Sequence, residues 1–201
     1  MEVDALNGID LEIKEGGFLV IVGRSGSGKT TLLRILAGLE CETAGEITFK
    51  GRICGPESPL PVGMVFQEPR LMPWLSVENN ILFPFLPGGR SKEMHQKALD
   101  ILKMLGLEGY ENAMPHQLSG GMAQRVALGR ALSCDPEIVL MDEPLGALDY
   151  FTRRALQREL VRIYLQGGKT FLMVTHDVGE ALRMGTRVLV LKNGMIEASI
   201  P

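Results

Sequence analysis

The chain has 201 residues, of which 45% are hydrophobic and 22% are charged, and its net charge is −3. This length fits one domain with a substantial core, and the acidic balance disfavours a dedicated nucleic-acid binder. No apolar run approaches the roughly 18 residues that a membrane-spanning helix needs, and no signal-peptide pattern opens the chain. We therefore expect that any work at a membrane depends on other subunits.

The first elements alternate between strands and turns. Residues 8–13 alternate apolar and polar side chains, which predicts a half-exposed strand, and residues 18–22 are apolar and predict a buried strand. Residues 45–51 predict a second alternating strand. Residues 51–61 are rich in Gly, Pro and Ser and predict a surface loop, and residues 62–66 predict a short apolar strand.

Residues 23–30 read G-x-x-x-x-G-K-T between the first buried strand and a helical pattern. Strand, glycine loop and helix in this order predict a P-loop, the name we use for residues 23–30. Lys29 is expected to reach the β- and γ-phosphates of a nucleotide, and the Thr30 hydroxyl to hold Mg²⁺. A glycine-rich turn without a ligand is the alternative. The predicted ATP-binding residues are Gly23, Arg24, Ser25, Gly26, Ser27, Gly28, Lys29, Thr30 and Thr31.

Residues 68–117 carry little strand signal between two parts of the chain that are rich in it. Ser76 and Ser91 are natural N-caps for helices in this stretch. We predict one domain over residues 1–201, in which residues 1–67 and 118–201 form an α/β core and residues 68–117 form a mainly helical lobe inserted into it.

The remaining pattern again alternates between helices and buried strands. Helices are predicted after Ser119, over residues 152–166 and over residues 178–184. Strands are predicted over residues 138–141, 170–174 and 187–191. A hairpin turn is predicted at Asn193-Gly194. The fold class that follows is α/β, a P-loop NTPase core with a parallel central sheet and an antiparallel β edge.

Four of the predicted strands are followed by polar residues, and the C-terminal ends of parallel strands meet at one edge of a sheet. Asp142 is expected to share Mg²⁺ with Thr30, and Gln67 to sense the metal or the attacking water. Glu143 is the candidate base that polarises this water, and His176 is expected to touch the γ-phosphate. A solvated strand end, a surface glutamine and a structural histidine are the alternatives.

A second anion-binding pattern is the capped helix start at Ser119-Gly120-Gly121. A molecule with one P-loop does not need another phosphate site of its own. Two copies facing head to tail would need it, because each copy would offer this helix start to the ATP of the other. The scattered cysteines and histidines, by contrast, predict reduced thiols and no zinc site; they are Cys41, Cys54, Cys134, His95, His116 and His176.

Taken together, these motifs resemble the ATP-binding subunits of ABC transporters over about residues 5–199. The resemblance rests on the P-loop, Gln67, 118–122, 138–143, 145–149 and His176. It implies that Glu143 is the catalytic base, Gln67 the Q-loop glutamine and His176 the switch histidine. It also implies that Asp149 lies at a dimer seam and that the signature motif serves the ATP of the partner subunit; its residues are Ser119, Gly120, Gly121 and Met122.

Three shorter segments, 67–74, 115–119 and 146–153, resemble the nitrate, sulfonate and taurine importers within that family. This resemblance implies an ATPase that uses ATP and Mg²⁺ to power solute import by dimer closure. The implied partners are a second ATPase subunit, two permease subunits and, indirectly, an extracytoplasmic solute-binding protein, with no nucleic acid. The implied location is the cytoplasmic face of the membrane. Leu71, Met72 and Trp74 are expected to line the groove that receives the permease; packing of Trp74 within the helical lobe is the alternative.

Two features depart from the family's pattern. Residues 1–17 contain no aromatic side chain to stack on adenine, and family members usually continue beyond Pro201. We therefore expect a chain that is trimmed at both ends or that uses a distant start site. A soluble ABC-type ATPase acting on nucleic acid or ribosomes is an alternative, although long coiled-coil insertions, zinc modules and a second cassette are missing from the sequence. A regulatory nucleotide-binding module is disfavoured by Glu143 and His176, and an exporter only by the subfamily resemblance.

Overall fold

A computed structural model describes residues 5–89 and 91–201; residues 1–4 and Arg90, which fall within the predicted domain, lie outside the described residues. The described strands are β1 (Phe18–Val22), β2 (Ile47–Phe49), β3 (Arg52–Cys54), β4 (Val62–Val65), β5 (Ile138–Asp142), β6 (Thr170–Thr175), β7 (Arg187–Lys192) and β8 (Met195–Ile200). The described helices are α1 (Lys29–Leu36), α2 (Val77–Ile81), α3 (Lys92–Met104), α4 (Gly120–Ser133), α5 (Tyr150–Gly167) and α6 (Val178–Met184). Short 3-10 helices cover Phe83–Gly88 and Pro115–Gln117.

Six strands form one sheet in the order β4-β5-β6-β1-β7-β8. The first five run parallel, and β8 pairs antiparallel with β7 at the edge. Non-consecutive neighbours joined through helices are typical of a doubly wound α/β fold. The predicted parallel sheet with an antiparallel edge is therefore confirmed.

Both faces of the sheet are buried, which explains why its central strands are uninterrupted apolar runs. Alternate residues of β1 enter two separate cores: Phe18 and Val20 pack beneath α4, α5 and α6, and Leu19 and Ile21 pack with α1. Helices α2 and α3 contribute to the first core through their contacts with α4. Of the helices in 5–89 and 91–201, none combines the length and apolar character that a bilayer crossing requires.

The predicted helix caps are confirmed at three serines. The hydroxyls of Ser76, Ser91 and Ser119 accept hydrogen bonds from backbone amides in the first turns of α2, α3 and α4. Between β4 and β5 the described residues form helices, 3-10 turns and loops. The division into an α/β core and an inserted helical lobe stays a prediction.

The prediction of a strand at residues 8–13 is wrong. Ile9, Leu11 and Ile13 do pack against the sheet while the intervening side chains are exposed, as the alternation indicates. The described part of this segment has no strand partner, however, and it is attached in other ways. The Arg187 guanidinium donates to the carbonyl of Glu12 at 2.9 Å. Burial of one side of an extended segment thus produces alternating apolar and polar residues even where the segment is not paired with another strand.

The boundaries in residues 45–61 also need correction. The predicted strand is reduced to β2, and the predicted surface loop contains β3, which pairs antiparallel with β2. The reason is the turn between them, in which Lys50 and Gly51 both have positive φ angles, of 49° and 76°. Two such residues build the tight turn that fits a two-residue hairpin.

Candidate active site

Four neighbouring strands deliver the predicted site residues to one edge of the sheet. The P-loop follows β1, Gln67 lies two residues after β4, Asp142 ends β5, and His176 follows β6. These strands are adjacent and parallel in the sheet, so their C-terminal ends share one edge. The fold therefore brings together the residues that the sequence assigned to phosphate, metal and water.

The P-loop is tightly curved, and this curvature requires glycine at two positions. Gly26 and Gly28 have φ angles of 77° and 98°, which side-chain-bearing residues rarely adopt. A Cβ atom on Gly28 would lie 2.4 Å from the Ala5 carbonyl oxygen. The start of α1 directly after Gly28 adds backbone N–H donors and the positive end of a helix dipole. This arrangement suits a phosphate group.

Lys29 lies inside this curve. Its side chain is only 5% exposed, and its Nζ donates to the carbonyls of Gly23 at 2.8 Å and Arg24 at 3.0 Å. No carboxylate of the described residues forms an ion pair with it. A buried ammonium without an anionic partner is unfavourable, and a bound phosphate would supply the missing charge.

Ser27 lies in the same loop. Its Oγ atom is buried and, within residues 5–89 and 91–201, has no hydrogen-bond partner. A Cβ atom on Gly23 would lie 2.6 Å from that oxygen and 2.3 Å from the Leu191 carbonyl, so the hydroxyl lies on the side of the P-loop that packs against β7. Of the other predicted ATP-binding residues, Arg24, Ser25, Gly26 and Thr30 are exposed, and Gly23, Gly28 and Thr31 are half-buried.

Thr30 and Asp142 form a candidate magnesium pair. The Thr30 hydroxyl donates to Oδ1 of Asp142 at 3.0 Å. Burial raises the pKa of Asp142, and the charge of Glu143 adds to this effect, while the Thr30 hydrogen bond opposes it. A divalent cation would offset the cost of ionising this carboxyl. Hydroxyl and carboxylate oxygens are hard ligands that suit Mg²⁺, whose remaining positions phosphates and water commonly fill.

No larger metal cluster competes with this pair. The described residues contain no group of three or more His, Cys, Asp or Glu side chains that could hold an ion. Gln67, also predicted at the metal, forms no hydrogen bond with Thr30 or Asp142 in the part of the chain that the structure describes. Its metal role stays a prediction.

Glu143, His176 and Gln67 converge beside the metal pair. His176 Nδ1 lies 3.0 Å from Glu143 Oε2. A Cβ atom on Gly146 would lie 3.7 Å from both Gln67 Nε2 and Glu143 Oε2, so these two side chains approach the same backbone. The glutamate has a φ angle of 42°, a conformation that non-glycine residues adopt mostly where the surroundings enforce it. Here its amide donates to the Val174 carbonyl at 3.0 Å.

The sequence did not identify Thr175 and Glu180, whose hydrogen bond holds the turn that carries His176. The Thr175 hydroxyl donates to Oε2 of Glu180 at 2.7 Å and accepts from the Asp177 amide at 3.1 Å. Glu180 is buried, which raises its pKa, and Arg153 lies 3.8 Å away. The one available signal was the polar run Thr175-His176-Asp177 at the end of an apolar strand, which marks a rigidly held turn.

The signature residues lie at the start of α4, and among the described residues they form no hydrogen bond or ion pair with the P-loop of the same chain. Ser119 and Gly120 are exposed, Met122 is half-buried, and Gly121 is buried against Thr152, where a Cβ atom would lie 2.3 Å from Cγ2. The signature helix is therefore packed directly on the start of α5.

Asp149 caps α5 next to this contact. Its Oδ1 accepts from the amides of Phe151 at 3.0 Å and Thr152 at 3.1 Å. The hydrogen bond from the Thr152 side chain, together with these amides, lowers the pKa of Asp149. Asp149, Ser119 and Gly120 thus form a second, exposed polar surface.

A cavity of about 1040 Å³ lies outside this site. It lies between residues 5–15, α1 and the β2–β3 hairpin, and Thr31 is the only predicted site residue in its lining. The candidate active site is instead an open edge of the sheet. It offers a phosphate cradle, a metal pair and a carboxylate beside a histidine, which are the groups that phosphoryl transfer to water requires.

Comparison with known proteins agrees with this geometry. The family described as ABC transporter matches residues 6–146. An uncharacterized ABC transporter ATP-binding protein of Methanocaldococcus jannaschii is 50% identical over 191 residues, covering 94% of this chain and 71% of that protein. The taurine import ATP-binding protein TauB of Roseobacter denitrificans is 44% identical, covering 94% and 70%. A dimeric ATP-binding cassette, MJ0796, in a post-hydrolysis state bound to ADP and Pi, has a TM-score of 0.85 at 37% identity, covering 98% and 90%.

Proposed function

This chain belongs to the ABC transporter family as an ATP-hydrolysing subunit, and on that premise we propose that it powers the import of a small sulfonate such as taurine. The observation that carries the proposal is the convergence of the P-loop, Asp142, Glu143 and His176 at the ends of four neighbouring strands. The relative that is named as a taurine import subunit supports the choice of solute.

In the proposed reaction the P-loop amides and Lys29 bind the phosphates of ATP. Thr30 and Asp142 hold Mg²⁺, which supplies charge neutralisation on the phosphates when it is bound. Glu143 accepts a proton from the attacking water, and His176, held at 3.0 Å from Glu143 Oε2, contacts the γ-phosphate. Gln67 senses the metal or the water from the loop after β4.

We further propose that two copies assemble head to tail. In that arrangement Ser119 and Gly120 of one copy contact the ATP held by the P-loop of the other, and Asp149 lies at the seam. The separation of the exposed signature surface from the P-loop within one chain supports this assembly, because a single chain leaves the signature residues without a ligand. Binding of ATP would then close the dimer, and hydrolysis would reopen it.

The proposed partners are two permease subunits at the cytoplasmic face of the membrane and an extracytoplasmic solute-binding protein. Permease docking is assigned to the loop after Gln67. Trp74 is 70% exposed there, and Leu71 and Met72 are half-buried beside it. An exposed aromatic residue on an irregular loop next to the active site is well placed to receive another subunit.

The test is a purification of the tagged chain from detergent-solubilised membranes of its host, followed by reconstitution in proteoliposomes. We expect a multi-span permease to copurify in stoichiometric yield. We then expect taurine-loaded solute-binding protein to stimulate ATP hydrolysis, and nitrate or sulfate to do so less. Glu143→Gln is the matched control, because it should copurify with the permease equally well and hydrolyse almost no ATP.

Two outcomes would contradict the proposal. A ribosomal or other soluble partner, with no membrane protein, would favour the soluble ATPase. Stimulation by nitrate or sulfate in place of taurine would support the importer and show that the proposed solute is wrong. Trp74→Ala tests the docking assignment separately, since normal assembly and transport in that variant would remove the loop from the permease contact.

A further inference from the structure

The loop that carries Gln67 is attached to the signature helix by buried polar side chains. Gln124, on α4, is only 3% exposed, and its Nε2 donates to the Phe66 carbonyl at 3.1 Å. Phe66 directly precedes Gln67. We call residues 66–76 the Gln67 loop. A buried amide that donates to a carbonyl with no ladder partner fixes the point at which this loop leaves β4.

Arg130 makes a second attachment, two turns further along α4. Its Nη2 donates to the Pro69 carbonyl at 2.8 Å, and its Nη1 donates to the Arg70 carbonyl at 2.8 Å. The planar guanidinium can reach both carbonyls because Arg70 adopts a positive φ of 46°. Charged donors form hydrogen bonds that are about twice as strong as neutral ones. The turn after Gln67 is therefore shaped around Arg130.

Asn80 on α2 holds the far end of the same loop. It is fully buried, accepts from the Met72 amide at 2.7 Å, and donates to the carbonyls of Met72, Leu75 and Ser76 at 2.9–3.2 Å. All the polar groups of one amide side chain are thus used to bind the loop. The loop lies between two helices and contacts both through hydrogen bonds.

The two helices are themselves tightly packed. A Cβ atom on Gly129 of α4 would lie 2.8 Å from Leu105, 3.0 Å from Ile101 and 3.2 Å from Ile81. The last of these residues belongs to α2, and the others come from α3 and the residue after it. Because no space remains for one methyl group, α4 cannot slide against α2 and α3 without disturbing the core. Helices and loop form one close-packed unit.

We propose that Gln124 and Arg130 are positioning residues, which make α4 and the Gln67 loop move together and so connect the signature residues to Gln67. At about 1.5 Å per residue, α4 spans about 16 Å between Ser119 and Arg130. A displacement of the Ser119 end would then move Gln67 and Trp74 without a new contact at the P-loop. This inference rests on the proposed function, in which the partner's ATP contacts Ser119.

Trp74 provides the measurement, because it is the only tryptophan of the chain and lies in the Gln67 loop. In a Glu143→Gln background, which binds ATP without consuming it, we expect ATP to change the Trp74 emission spectrum and anisotropy as the dimer closes. Adding Arg130→Gln should abolish most of this change while ATP binding and ATP-dependent dimerisation persist. It should also lower the anisotropy of Trp74 without nucleotide, because the loop is released.

In the wild-type background, Arg130→Gln should lower kcat roughly fivefold to tenfold and leave the KM for ATP within about twofold. Arg130→Lys retains one charged donor and should restore part of the loss. Arg158→Gln is the matched control, because Arg158 is exposed on α5 and, among the described residues, forms no hydrogen bond or ion pair with the Gln67 loop. If Arg130→Gln does not fold, Gln124→Leu serves in its place, since it removes one hydrogen bond at similar volume.

The outcomes separate the two proposals. A Trp74 response that is unchanged in the Arg130 and Gln124 variants would overturn the positioning role. So would an equal loss of kcat in the Arg158 control. Failure of the Glu143→Gln parent to dimerise with ATP would overturn the proposed head-to-tail assembly instead. In that case the nucleotide-free anisotropy still reports directly whether Arg130 holds the loop.

Discussion

His176 Nδ1 lies 3.0 Å from Glu143 Oε2, although the two residues are 33 positions apart in the sequence. They meet because β5 and β6 are neighbouring parallel strands that end at the same edge. The imidazole can hold the carboxylate oxygen in one orientation, leaving the other oxygen available to a water molecule. This geometry suits the roles proposed above, in which Glu143 is the base and His176 contacts the γ-phosphate.

Replacing Glu143 by Gln tests this role most directly. The amide keeps the size of the side chain and cannot accept a proton from water, so we expect hydrolysis to fall about 10²- to 10⁴-fold. ATP binding should remain, because the P-loop and Lys29 are unaltered. Phosphate release and binding of a fluorescent ATP analogue measure the two quantities. Glu57→Gln, at an exposed position, is the control, and comparable turnover in both variants would remove Glu143 from the reaction.

Asp142 should contribute less to the stability of the nucleotide-free protein at neutral pH than at low pH. Burial raises the pKa of this carboxyl above its ordinary value of 3.8, so the folded state binds the proton more tightly than the unfolded state. The contribution of Asp142 to the free energy of unfolding therefore falls as the pH rises through the folded-state pKa. Asp142→Asn removes this term, and we expect the variant to be more stable than the wild type at pH 7.

The difference in the free energy of unfolding between the two proteins should narrow as the pH falls towards 3.8, because the unfolded-state carboxyl then begins to bind a proton as well. Urea unfolding from pH 4 to pH 8 measures it, with Asp10→Asn as an exposed control. The same variant should lose Mg²⁺-dependent hydrolysis about a hundredfold or more, since a metal ligand is gone. A variant that is less stable than the wild type at neutral pH would contradict the assignment of this buried charge.

The sequence predicts most strands and helices of this fold because each of these elements is specified by residues that are close together in the chain. The apolar runs of β1, β5 and β6 and the serine caps depend on neighbouring residues only. The P-loop, Asp142, Glu143 and His176 could be placed together because parallel strands end at one edge. Residues 8–13 were predicted wrongly because alternation reports burial on one side, whereas a strand also needs a partner with which to pair.

Other features depend on contacts that no local pattern records. Arg130 binds carbonyls 60 and 61 residues away, and its reach depends on the positive φ of Arg70. Nothing in the sequence of α6 distinguishes Glu180 as a site residue, yet its carboxylate accepts the hydrogen bond from Thr175 that holds the turn at His176. Such polar residues become visible as site components only when the elements that carry them are in place.

Thr175→Val tests the support of His176. Valine keeps the shape of threonine and removes the hydroxyl that donates to Glu180 and accepts from the Asp177 amide. We expect a loss of about 1–3 kcal/mol in the free energy of unfolding, because a buried carboxylate and an amide lose their partner. We also expect a lower kcat with an unchanged KM for ATP, since His176 is displaced and the P-loop is intact. Thr48→Val, at an exposed position of β2, is the control, and an unaltered kcat in Thr175→Val would show that His176 does not depend on this bond.

The two glycines of the signature motif should respond differently to alanine. A Cβ atom on Gly120 would lie 3.6 Å from Leu148 Cδ2, an ordinary contact, whereas one on Gly121 would lie 2.3 Å from Thr152 Cγ2. Gly121→Ala should therefore lower the free energy of unfolding by about 1–3 kcal/mol, and Gly120→Ala should leave it unchanged or raise it by up to about 1 kcal/mol. Chemical denaturation of the nucleotide-free protein measures both.

Thr152→Ser distinguishes this clash from a general intolerance of the helix start. Serine removes Cγ2 and keeps the hydroxyl that binds Asp149, so the cap of α5 persists. Added to Gly121→Ala, it should restore most of the lost stability, and added to Gly120→Ala it should restore none. If Gly121→Ala is as stable as Gly120→Ala, or if serine does not restore it, the start of α4 is not held against α5 by this contact. Signature residues and Asp149 would then be free to move separately, and the seam proposed for the dimer would lose its rigid support.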